Sequence, residues 1–178
     1  MSKKHYIITA ITLGAIAACS AALIGVTNLV TKNQIAKNEQ NKIRVGIVSI
    51  YGEDAVIKEE HIVDDYKYTN YVYEIESDAN NPKFVFRTTG SNMYGKISML
   101  VGLNQDVTAN EFVFVNIYLV VNEQTYASTL VDNYVDPLNS DNRELEDVSC
   151  GATYGAKLVR DMVNEAKDAA LELYGRKD

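Results

Sequence analysis

Histidine and cysteine are scarce in this chain of 178 residues, with two of each, and tryptophan is absent. The histidines are His5 and His61, the cysteines Cys19 and Cys150, and no Cys-x-x-Cys pair occurs, so no zinc, haem or iron–sulfur ligand set has recognisable spacing. Any redox cofactor is therefore organic. Cys19 falls inside an apolar run and Cys150 far outside it, which leaves no disulfide framework. Basic residues are also in the minority. From Asn33 onward 14 of them stand against 24 acids, a formal charge of −10. That balance excludes a nucleic-acid partner and a basic patch for anionic lipid, so any membrane link must rest on apolar residues.

Those apolar residues come first. From Tyr6 to Val30 the chain contains no Asp, Glu, Lys or Arg, with Lys3 and Lys4 before it and Lys32 after. At about 1.5 Å per helical residue this run spans a bilayer core, and it reads as a single transmembrane helix. Two other readings stay open: a cleaved secretory signal, and a lipoprotein signal in which Ile16-Ala17-Ala18-Cys19 makes Cys19 the lipidated residue. All three deliver the C-terminal domain to the outer side of a cell membrane. The charge rule alone does not fix orientation, because Lys32, Lys37, Lys42 and Arg44 outnumber Lys3 and Lys4.

Beyond the anchor, Ile35, Ile43 and Ile47 share one helical face and predict a helical stalk, although Gly46 and the β-branched residues from Val45 to Ile50 lower helix propensity. Strands come next. Tyr71, Tyr73 and Ile75 alternate with Val72, Glu74 and Glu76; Phe84 and Phe86 come after the turn cluster Asn80-Asn81-Pro82; Ile97, Met99, Val101 and Leu103 alternate in turn. The run from Phe112 to Val121 is apolar enough for a central strand, pairs with the preceding one and needs a partner for Asn116. Residues 122–147 read as a polar loop. From Thr153 to Tyr174, Val159, Met162, Val163, Ala166, Ala170 and Leu173 fall on one side of a helix that Gly175 ends. The fold class is α+β: an N-terminal transmembrane helix, then one domain with a mostly antiparallel sheet and packed helices.

The residues before that last helix are Asp147-Val148-Ser149-Cys150-Gly151-Ala152-Thr153. In Asp147 and Gly151-Ala152-Thr153 the chain resembles the covalent FMN-binding domain family, which includes the G subunit of the Rnf ion-translocating electron-transport complex and the C subunit of sodium-pumping NADH:quinone reductase. The segment YGKISMLVGLNQD, from Tyr94 to Asp106, also looks like the family's glycine-containing strand pair. The chain departs from the family in having Cys150 where a Ser or Thr is usual, and Gly155 and Ala156 where a hydroxyl residue is usual after the motif threonine. It also lacks a Glu-Thr-Pro-Gly-Leu-Gly segment, for which Glu123-Gln124-Thr125-Tyr126-Ala127 is the best counterpart.

The resemblance implies FMN held by a phosphoester on Thr153 (phosphothreonyl-FMN), with Asp147, Ser149, Cys150, Gly151 and Ala152 around the attachment point and Thr125 and Tyr94 near the flavin ring. It further implies a flavin transferase that attaches the cofactor, other membrane redox subunits as partners, and an electron-carrying subunit rather than a complete enzyme. The implied division is an anchor over 1–31, a stalk over 32–51 and an extracytoplasmic FMN-binding domain over 52–178.

Chemistry suits the assignment. A threonine at a helix start lies beside unpaired N–H groups that favour a phosphodiester's negative charge. Other functions remain open: a non-redox tethered binding module, or a stand-alone extracytoplasmic flavin carrier. Three further features read as structural. The tyrosines at 66, 68, 71 and 73 suit strand packing, His61 a solvated loop, and Glu59, Glu60, Asp64 and Asp65 a solvated face without calcium-loop spacing.

Overall fold

The computed structural model describes residues 3–141 and 150–176. The chain divides into two compact units at Asn41 and Lys42. Helix α1 runs Lys3–Tyr51. In the first unit it contains the segment Tyr6–Asn28, which is long and apolar enough to cross a membrane and has none of its surface buried. Ile7, Leu13, Ile16, Leu23 and Ile24 are all exposed there. Such residues gain nothing in water and are at home in a bilayer's hydrocarbon.

The second unit begins with the last turns of α1. Five strands come after it, β1 (Ile57–Ile62), β2 (Thr69–Ile75), β3 (Lys83–Asn92), β4 (Gly95–Asp106) and β5 (Glu111–Asn122). They form one antiparallel sheet in the order β1-β2-β3-β4-β5. Then come α2 (Ala127–Leu130), a π-helical turn (Val131–Val135), α3 (Asp136–Asp141) and α4 (Thr153–Tyr174). The fold is α+β, with an N-terminal apolar helix, an antiparallel sheet and helices.

Period-two alternation gives the sheet two apolar faces. On one, Val72, Phe84, Phe86, Met99, Val101 and Leu103 meet Val159, Met162, Val163, Ala166 and Ala170 of α4. On the other, Tyr73, Ile75, Val85, Leu100 and Val120 meet Ile43 and Ile47 from the end of α1. Gly46 is the point of closest approach: a Cβ there would lie 2.6 Å from Leu100 Cδ1 and 2.6 Å from Tyr118 Cδ1. The glycine that weakens the helix locally is the one that lets it lie down on β4. Tyr51 then donates its hydroxyl to Leu103 O at 2.9 Å and Phe84 O at 3.2 Å, tying the helix end to two strands.

Three expectations are corrected. The apolar run of β5 is an edge strand, not a central one. Its outer rim is occupied by Asn139 of α3, whose Oδ1 accepts the Ile117 N–H at 3.0 Å and whose Nδ2 donates to Ile117 O at 2.9 Å, as a neighbouring strand would. Asn116 needs no distant partner, since its Oδ1 also accepts the Ile117 N–H at 2.8 Å. Residues 127–141, expected as loop, are helical, in pieces too short to show a 3.6-residue period. Leu173 is 44% exposed, because it lies past the last buried turn of α4.

Candidate functional site

Three segments meet at the N-terminal end of α4. The first is the two-residue turn Met93-Tyr94 between β3 and β4, where Asn92 pairs with Gly95. Gly95 has φ +135°, and a Cβ on it would run into the Glu123 carbonyl, so the turn and the chain leaving β5 touch backbone to backbone. The second segment is Gln124 to Tyr126. Thr125 donates its N–H to Tyr94 O at 2.9 Å, and the buried Gln124 donates Nε2–H to Gly95 O at 2.6 Å. The third is Cys150 to Gly155. Asn92 joins it to the turn, accepting the Tyr94 N–H at 2.9 Å on Oδ1 and donating from Nδ2 to Tyr154 O at 3.1 Å.

The approach to α4 is shaped by backbone. Asn133 Nδ2 donates to Cys150 O at 3.2 Å, Gly151 turns the chain at φ +78°, and Ala152 buries its methyl in the main core. The first helical hydrogen bond is from Ala156 N–H to Ala152 O at 3.0 Å. The N–H groups of Thr153, Tyr154 and Gly155 therefore have no acceptor within the helix, and among the described residues no side chain caps it. This end of α4 carries partial positive charge next to an exposed threonine hydroxyl.

A cavity of about 200 Å³ opens there. Gly151, Ala152, Thr153 and Gly155 form its floor, and Tyr94, Gln124, Tyr126 and Tyr154 its walls. The three tyrosines form a cluster, with the Tyr94 ring 5.5 Å from that of Tyr154 and 6.2 Å from that of Tyr126, all tilted. Tyr126 and Tyr154 are more than half exposed. The site offers a hydroxyl, an anion-favouring helix end and aromatic faces within one small volume.

Of the residues singled out in the sequence, Gly151, Ala152, Thr153 and Tyr94 line this cavity. Cys150 is half-buried and packs against the core. Thr125 is adjacent but does not line it; its hydroxyl is directed to Tyr94 O at 3.3 Å. Asp147 and Ser149 lie outside the described residues. Gln124, Tyr126 and Tyr154 line the cavity too; the first two fall in the segment Glu123 to Ala127 without having been singled out, and Tyr154 had no motif to mark it. Tyr154 comes directly after Thr153, and the other two flank Thr125, so adjacency was the available signal.

Residues 1–44 match the model of the RnfG N-terminal region. The match covers 44 of the 178 residues and supports a likeness to RnfG over that region. With the apolar helix it points to a single-pass membrane protein. It lies wholly ahead of the sheet and the cavity. No curated protein matches the chain.

Proposed function

We propose that the protein is an electron-transfer subunit carrying FMN esterified to Thr153, anchored by residues 1–31 and extended on a stalk over 32–51, with its domain on the outer face of the cell membrane. In this reading the last turns of the stalk helix belong to the domain they pack on. The observation that carries the proposal is the convergence of the exposed Thr153, the end of α4, uncapped among the described residues, and three tyrosines on one cavity.

The residues fit the group. The N–H groups of Thr153, Tyr154 and Gly155, which have no side-chain cap among the described residues, favour the phosphodiester anion, and Gly151 keeps its approach clear of a side chain. At about 200 Å³ the cavity is smaller than the roughly 300–1,000 Å³ of a pocket that encloses a whole ligand. It would hold the phosphate end of the cofactor at Gly151 to Gly155 and would not enclose the whole of it. Tyr94, Tyr126 and Tyr154 supply aromatic faces there. Bound FMN supplies the one- and two-electron chemistry, and the protein orients and tunes it. An exposed ring suits exchange with partner subunits, while a covalent link prevents loss of the cofactor outside the cell. A separate flavin transferase makes the ester, the Thr153 Oγ–P bond replacing the pyrophosphate bond of FAD as AMP leaves.

The experiment is co-expression of the full chain with a flavin transferase, and then denaturation. A mass increase equal to esterified FMN, with in-gel flavin fluorescence, is expected for the wild type and is lost in Thr153→Ala. An unlabelled wild type defeats the proposal, and a labelled Thr153→Ala moves the attachment site.

A further inference from the structure

At the opposite end of α4 the first two strands bring together Glu59, His61 and Glu74, residues far from any metal-binding spacing in the sequence. His61, expected in a loop, is a β1 residue. Glu59 stands directly across from Glu74 in the β1–β2 ladder, and His61 lies two residues further along the same face. Two carboxylates in cross-strand register repel unless something positive holds them. His61 Nε2 lies 3.4 Å from Glu59 Oε2 and 3.3 Å from Glu74 Oε1. One N–H cannot serve both, and each distance exceeds the ~2.7–2.9 Å of a charge-assisted hydrogen bond. These two distances match tetrahedral edges, since ligands bound at ~2.0–2.2 Å to a zinc-like ion are ~3.3–3.6 Å apart, and the three ligand atoms all lie within 4.8 Å of one another.

We propose that Glu59, His61 and Glu74 bind one first-row divalent cation, zinc being the best match, through Nε2 and two carboxylate oxygens. The two glutamates neutralise the ion, and the fourth tetrahedral position is left to water. Tyr174, at the end of α4, lines the same groove as His61 and Glu74. Asp64 and Asp65 line the groove that leads past His61 and Glu74, giving an approaching cation a negative path. Lys58 Nζ lies 3.7 Å from Glu74 Oε2, on a side chain that is 59% exposed, and is a competing cation that can swing away.

Every residue of β1 is exposed, so the strand is held by its ladder and little buried surface. An ion bridging β1 to β2 staples that edge. The site is distinct from the cavity at Thr153: the 22 residues of α4 separate them by about 33 Å at ~1.5 Å per residue.

The test uses the full chain in detergent, free of any histidine tag. Calorimetric titration with Zn²⁺ should give one ion per chain, Co²⁺ should develop the intense visible bands of a tetrahedral site, and the melting temperature should rise with Zn²⁺. His61→Ala and Glu74→Gln should each weaken Zn²⁺ binding more than ~10-fold. Lys58→Ala should tighten it, and Thr153→Ala should leave it unchanged. Circular dichroism identifies any variant that fails to fold, and Glu59→Gln then replaces it. No stoichiometric binding by the wild type, or binding that survives His61→Ala or Glu59→Gln in a folded protein, overturns the assignment.

Discussion

Gly151 turns the chain into α4 with φ at +78°, a conformation an L side chain adopts at a cost of about 1–2 kcal/mol. A Cβ there would also lie 3.3 Å from Thr129 Cγ2. Gly151→Ala should therefore lower unfolding free energy by roughly that amount, read from a denaturant midpoint with unchanged slope. Gln124→Leu should be costlier than an ordinary surface change, about 1–3 kcal/mol, because Gly95 O loses its buried donor. At this scale the sequence was readable at Gly151, whose residue type suits its positive φ, and it brought Thr153 to the cavity rim without deciding what that threonine carries. It was silent on Gln124 and on the Glu59–His61–Glu74 cluster, because both are products of strand register and turn geometry rather than of spacing along the chain.

Among the elements, α4 was the most legible, since one face is buried along nearly its whole length and a 3.6-residue period survives in the sequence. Met162→Ala on that face should cost about 2–5 kcal/mol by leaving a void against the sheet, measurable by thermal or denaturant unfolding. The pairing of β4 with β5 was equally plain from their apolar patterns. The edge position of β5 was hidden, because an apolar run records how much of a strand is covered and not what covers it. Here helices and an asparagine amide take the place of a sixth strand. Asn139→Ala removes both bonds to Ile117 and should cost about 1–3 kcal/mol, with exchange protection lost first at the Ile117 amide. The end of α1 is helical, as its apolar spacing predicts, and Gly46 finds its reason in tertiary contact with Leu100 and Tyr118.

For the molecule as a whole, buried phenols set an upper pH limit. Burial pushes Tyr73 up to about 12 from an ordinary value of 10.0, and raises Tyr51 and Tyr174 further. A folded pKa above the unfolded one favours the protonated, folded form. Their stabilisation is therefore complete below pH 10 and is lost as pH rises from there through about 12. Melting temperature should stay level on the acid side of that window and fall inside it, with phenolate absorbance rising in step with unfolding. A phenolate signal that appears fully near pH 10 while the fold persists would show these tyrosines to be exposed.

The sheet has two margins, and they are unlike. One is closed by the Asn139 amide, and the other is bare among the described residues, its rim of backbone groups open to water. The Asn139 amide interrupts strand addition at Ile117 in the middle of β5, and the charges of Lys58, Glu59 and Glu60 blunt the β1 rim, so neither margin is a flat template for another chain.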